Sequence, residues 1–126
     1  MAIIGIGIDL IEVARIAALL KKSGDAFKAK VFSRSEIVYS EKSRCKIERY
    51  AARFSAKEAF VKAFGQKGVS LKDISVSKEA SGKPFLIFSP TLTRRLKKCF
   101  SSVIIHLTLT HTKTTAGALV VIETRD

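Results

Sequence analysis

VIIHLTLTHTKTTAGALVVI, residues 103–122, is the most informative stretch of the chain for its architecture. Val103 to Leu109 and Ala116 to Ile122 are strand-length runs rich in β-branched and aliphatic residues. The segment THTKTT between them is polar and short, which predicts a hairpin. Two long runs joined this way form an antiparallel core. A doubly wound parallel sheet would instead separate them by a helix. His106 and His111 lie five apart and would point to opposite faces of a strand. His111 falls in the predicted turn, where its ring could donate to a phosphate.

Upstream, Pro90 to Phe100 reads as a short basic helix and Phe85 to Phe88 as a strand after the turn SGKP. Ile74 to Ser77 alternates like another strand. The longest predicted helix runs from Lys46 to Phe64 and is stopped by Gly65. Ala56, Phe60, Ala63 and Phe64 form its apolar face, and Ala51, Ala52, Ala56 and Ala59 would let another backbone approach. Ser33 and Glu36 make a capping box for a helix reaching about Glu41. Ile11 to Lys22 has helical spacing, with Ser23-Gly24 as its stop. Residues 2–8 read as a buried strand that Asp9 ends, its carboxylate capping the helix that follows. The expected class is α+β: an antiparallel sheet with one long helix packed on it.

The 126 residues suit one domain, 1–126, with a real core. No run of about 18 apolar residues is present to span a bilayer. Asp9 and Glu12 interrupt the apolar start, so no signal peptide is expected. Cys45 and Cys99 lack metal-ligand spacing and fit free thiols in a cytoplasmic protein with no membrane association. Lys and Arg number 23 against 11 Asp and Glu, a net charge of +12, which should attract a polyanion or an acidic protein. A small basic nucleic-acid-binding module is the rival reading on charge alone. It would interleave aromatics with cations on an exposed face, whereas there is no Trp and Phe54, Phe60 and Phe64 fall mostly in an apolar stripe.

GIGIDLIEV, residues 5–13, begins like a dinucleotide-binding loop, but position 10 is Leu10 where the fingerprint needs glycine. No GxxxxGK[ST] occurs either, which disfavours an NTPase. What the stretch does offer is Asp9. RFSAKEAFVKAFG, residues 53–65, offers Glu58 as its only acid. Arg53 and Lys57, and likewise Glu58 and Lys62, are four apart on a helix face and alone would read as solvated surface charges. Two carboxylates from different elements would suit Mg²⁺, whose remaining positions water and phosphate oxygens fill. Lys62, Arg53 and Lys57 could then neutralise the phosphate.

GIGIDLIEVARI, ARFSAKEAFVKAFG, GKP at 82–84 and LTLTHT at 107–112 occur in that order. Together they resemble the bacterial holo-[acyl-carrier-protein] synthases, small 4′-phosphopantetheinyl transferases, over nearly the whole chain. Ala51-Ala52 stands where that family often has Ala-Gly, and Ser55 where Ala is frequent. The resemblance implies Mg²⁺ on Asp9 and Glu58, with Asp9, Glu58 and Lys62 as the catalytic set. It implies coenzyme A (CoA) contacts from Lys62 to the pyrophosphate and from Arg53, Lys83 and His111 elsewhere. It further implies transfer of 4′-phosphopantetheine from CoA to a serine of apo acyl carrier protein, in support of fatty acid biosynthesis. Either Glu58 or a water on the metal would take the serine proton. The family pattern is a homotrimer with sites at subunit interfaces and no nucleic-acid partner. The acidic carrier would meet the basic region of Arg15, Lys21, Lys22 and Lys28.

Overall fold

Strand β5 (Thr115–Thr124) is the centre of the main sheet, flanked by β1 (Ala2–Glu12) and β4 (Val103–His111), both antiparallel to it. The computed structural model describes residues 1–125. Between β1 and β4 run α1 (Val13–Val31), α2 (Arg34–Glu41), α3 (Lys46–Phe64), a one-turn 3₁₀ helix (Leu71–Asp73), β2 (Ile74–Lys78), β3 (Pro84–Phe88) and α4 (Pro90–Cys99). β2 and β3 pair as a separate antiparallel hairpin. The class is α+β, as expected, and the 103–122 stretch does form the hairpin. The ladder runs further than the sequence suggests: His111 pairs with Ala116, leaving only Thr112–Thr114 as the turn. Thr112 Oγ1 closes it by accepting from the Thr114 and Thr115 amides.

The inner face of β5 (Ala116, Ala118, Val120, Ile122) packs on α3. Ala118, Val120 and Ile122 join Ala59, Phe60, Ala63, Phe64, Ile74, Val76, Leu92 and Leu96 in the larger core cluster, while Ala116 belongs to the second. This second cluster, built on Ile16, Phe32, Tyr50 and Ala51, lies under α1. Phe27 packs there, its ring tilted against that of Phe54 with centroids 6.2 Å apart.

β1 corrects the expectation of a buried strand. Its helix-facing side carries Gly5, Gly7, Asp9 and Ile11, while Ile4, Ile6, Ile8 and Leu10 lie on the open face. A Cβ at Gly5 would overlap the Ala63 carbonyl oxygen, and one at Gly7 that of Ala59. The strand backbone therefore lies directly against the small-residue stripe of α3. Ile6 and Ile8 are 62% and 60% exposed, an inversion of the usual sheet pattern.

Asp9 is likewise interior to β1, which continues to Glu12, so it caps no helix. α1 does not stop at Ser23-Gly24. Ser23 leaves helical geometry and kinks the helix, which resumes to Val31, so α1 matches α3 in length. The capping box of α2 forms as read, Ser33 Oγ accepting from the Glu36 amide and Glu36 Oε1 from the Ser33 amide.

Candidate active site

Asp9 reaches the site because the glycines beside it bring β1 onto α3. Its side chain is mostly buried, and Asp9 Oδ1 accepts from Lys62 Nζ at 3.2 Å. Lys62 Nζ also donates to the Ile8 carbonyl at 2.9 Å. The Ser55 hydroxyl donates to the Asp9 carbonyl oxygen at 2.8 Å, so a residue that the sequence marks only as a small-for-small change anchors the strand at Asp9.

Glu58 lies one helical turn before Lys62 on the same face of α3. Burial raises its carboxyl pKa above the ordinary value, and the nearby Asp9 charge raises it further, while Lys62 and Arg15 oppose the shift. Asp9, Glu58 and Lys62, drawn from two elements, thus come together.

The Asp9 charge disfavours ionisation of Glu58, and a divalent cation would relieve that repulsion between the two carboxylates. Among the described residues no group of three or more His, Cys, Asp or Glu could hold a metal. A cation here would therefore take two protein carboxylates and draw its other ligands from water and phosphate. That is the Mg²⁺ pattern.

Arg53 faces elsewhere. Five residues from Glu58, it lies about 140° around the helix axis. It is only 3% exposed, not solvated as its spacing alone suggests. Lys57, read as its exposed neighbour, is fully buried and paired with Glu36 Oε1 at 2.7 Å. Burial lowers the Lys57 pKa against the pull of Glu36.

Arg53 lines a pocket of about 490 Å³ whose other walls include Tyr39, Arg49, Lys78 and His111. Gly82 and Pro84 line it too, but Lys83 between them does not. Lys83 is exposed in the turn. The structure thus gathers Arg53 and His111 on one side of α3 and Asp9, Glu58 and Lys62 on another. Sequence reasoning missed Tyr39, Arg49 and Lys78. Only Arg49 carried a signal, four residues before Arg53 and eight before Lys57.

Among the carrier-facing cations expected, Arg15, Lys21 and Lys22 are exposed, whereas Lys28 pairs with Glu41 at 2.9 Å. Phe60 and Phe64 are core residues, and Phe54 packs against the second cluster. Both cysteines are free and exposed. Among the described residues no helix is long and apolar enough to cross a membrane.

Comparison with known proteins gives a consistent picture. Residues 5–116 match the 4′-phosphopantetheinyl transferase superfamily. The holo-[acyl-carrier-protein] synthase of Treponema denticola is 43% identical over 126 residues, covering 96% of this chain and 98% of that protein. The enzyme of the same name from Paramagnetospirillum magneticum is 40% identical over 126 residues, 96% of each chain. The crystal structure of the Neisseria meningitidis synthase superposes with a TM-score of 0.90 at 34% identity, covering 97% of this chain and 99% of that one. The Bacillus anthracis synthase, solved in complex with CoA (3′,5′-ADP), gives a TM-score of 0.79 at 37% identity and 97% coverage of both chains.

Proposed function

The chain belongs to the 4′-phosphopantetheinyl transferase superfamily, and from that membership we propose that Asp9, Glu58 and Lys62 form its catalytic centre. It moves the 4′-phosphopantetheine group of CoA onto a serine of apo acyl carrier protein, the activity of a holo-[acyl-carrier-protein] synthase. The serine oxygen bonds to the phosphorus that carries the pantetheine. The pyrophosphate P–O bond breaks, and adenosine 3′,5′-bisphosphate leaves. The observation that carries the assignment of the centre is the meeting of Asp9 and Lys62 at 3.2 Å with Glu58 beside them.

Asp9 and Glu58 are the residues that would hold Mg²⁺, which when bound supplies positive charge to the pyrophosphate oxygens. Lys62 is half exposed on a flexible stem, so its ammonium can turn from Asp9 to a pyrophosphate oxygen. Cations fixed where charge builds up on the leaving group stabilise phosphoryl-type transition states. Arg53 and His111 line a cationic pocket suited to the remainder of CoA.

The same reading proposes a homotrimer with shared sites. Ile4, Ile6, Ile8 and Leu10 leave an apolar sheet face uncovered in one chain, which supports burial against other copies. Two half-sites on different sides of α3 support a centre completed by a neighbouring subunit. Exposed Arg15, Lys21 and Lys22 fit steering of an acidic carrier. Free thiols fit the cytoplasm, where the product would serve fatty acid biosynthesis. Burial of Phe60 and Phe64 speaks against an aromatic platform for single-stranded nucleic acid. The test of the centre is release of adenosine 3′,5′-bisphosphate from CoA, followed chromatographically. Wild type should release it only with apo carrier present, and Glu58→Ala should not release it. Wild-type turnover by Glu58→Ala would refute the assignment.

A further inference from the structure

β3 and β4 are neighbours in space but belong to separate sheets, and among the described residues no backbone hydrogen bond joins them. The chain between them passes through α4, which sinks Leu92 and Leu96 into the larger core cluster. Between the two strands and this helix lies an apolar groove of about 440 Å³, walled by Phe85, Phe88, Leu96, Phe100, Val103 and Ile105. Its volume falls in the lower part of the range of about 300–1,000 Å³ that small-molecule sites occupy. The groove shares no lining residue with the pocket of Arg53 and His111, and none of Asp9, Glu58 and Lys62 lines it.

The charge along the groove has one sign. Exposed Lys97 lines it with the hydroxyl residues Thr93, Ser101 and Ser102, and no acid does. Arg94 and Lys98 are exposed on the same helix, and α4 carries no acidic residue. Among the described residues none of Arg94, Lys97 and Lys98 is ion-paired. The remaining cation of α4, Arg95, is taken up by the Lys67 and Gly68 carbonyl oxygens. A lysine at the edge of an apolar groove lays its stem along the wall and keeps its ammonium in water.

We propose that the groove between β3, β4 and α4 binds a free fatty acid, its alkyl chain against the aromatic and aliphatic walls and its carboxylate at Lys97. Apolar walls alone would take any hydrocarbon, and the unopposed cation is what selects an anion. A fatty acid is an unbranched chain with a single ionised group, and the groove is an apolar cleft with a single cation in its lining. Chain burial supplies the affinity, and the carboxylate supplies the selectivity. The site is separate from the proposed transferase centre and does not rest on that reading.

The experiment is calorimetric titration of the full chain with decanoate, dodecanoate and decanol, each below its micelle-forming or solubility limit, with a thermal melt of every variant. Decanoate should bind saturably, one per chain. Each further methylene should tighten binding about fourfold, so dodecanoate should bind about fifteenfold more tightly than decanoate. Lys97→Gln, at an exposed position, should weaken decanoate about fivefold and leave decanol unchanged. Lys30→Gln, which removes the same charge from an exposed position on α1, should bind decanoate like wild type. Ser102→Phe adds a ring to the lining and should weaken all three ligands about tenfold. Several weak equivalents per chain, or equal affinity for the two acids, would overturn the proposal. So would unchanged decanoate affinity in Lys97→Gln or in Ser102→Phe, or an equal loss in Lys30→Gln. Sedimentation with phosphatidylglycerol vesicles, without saturable uptake of decanoate, would show a membrane-contact surface and overturn it as well.

Discussion

Replacing Glu36 by alanine should cost more stability than any other single truncation of a charged side chain in this protein. Glu36 is fully buried and accepts from Lys57 Nζ at 2.7 Å, the Val76 amide at 2.9 Å, the Ser33 amide at 3.0 Å and Ser33 Oγ at 3.3 Å. One carboxylate therefore joins α2, α3 and β2. Its removal strands the Lys57 ammonium, which keeps only the Leu71 and Ile74 carbonyl oxygens as acceptors. Breaking a buried pair this way costs about 3–5 kcal/mol, and losing half the capping box adds up to about 1 kcal/mol. Against a typical total of about 5–15 kcal/mol, that is a third or more of the stability. Urea unfolding at fixed pH and fixed protein concentration measures it, the concentration being held because the proposed assembly would contribute to stability. The double variant Glu36→Gln/Lys57→Met removes both charges while keeping an acceptor for Val76, and should recover most of the loss. A Glu36→Ala cost under about 1 kcal/mol, the size of a surface pair, would refute the reasoning. So would strict additivity of the two sites.

Gly7→Ala should destabilise the protein by about 1–3 kcal/mol or more, because the new methyl group meets the Ala59 carbonyl on a helix that cannot step aside; the urea midpoint checks it, and a neutral result would mean that β1 sits off α3. Glu41 is held down from 4.5 to about 2 by the Tyr50 hydroxyl first and by Lys28. Its folded value lies below its unfolded one, so its contribution is complete above pH 4.5 and lost as the pH falls through about 2. Glu41→Gln should flatten the dependence of urea midpoints on pH in that acid window. Ile6→Asp or Ile8→Asp should lower the molar mass seen by light scattering, because each places a charge on the apolar face proposed to join subunits; an unchanged mass would show that the face is not an interface.

How much of this was legible in the sequence depends on how local each cause is. The 103–122 hairpin, the capping box at Ser33 and the Gly65 stop of α3 are written in neighbouring residues, and all three form. Alternation along β1 says correctly that Ile4, Ile6, Ile8 and Leu10 share a face. It does not say which face the core takes, and here the glycines face inward because α3 presents a stripe of small residues. α1 runs past Ser23-Gly24 because Phe27 beyond it packs on Phe32 and Phe54, contacts that outweigh a local stop signal. The spacing of Glu58 and Lys62 shows that they share a helix face, but the arrival of Asp9 beside them is tertiary. Tyr39, Arg49 and Lys78 come from α2, α3 and β2, so no window of sequence contains their cluster.

The decisive measurement is intact-mass spectrometry of apo acyl carrier protein incubated with CoA, Mg²⁺ and this protein or its Asp9→Ala variant. Wild type should add one phosphopantetheine to one serine of the carrier, stop when a chelator removes the metal, and resume when Mg²⁺ is returned. Asp9→Ala, folded by its thermal melt, should leave the carrier unmodified. A carrier that stays apo with wild type, or is fully converted in excess chelator or by Asp9→Ala, would contradict a centre built on Asp9, Glu58 and Lys62.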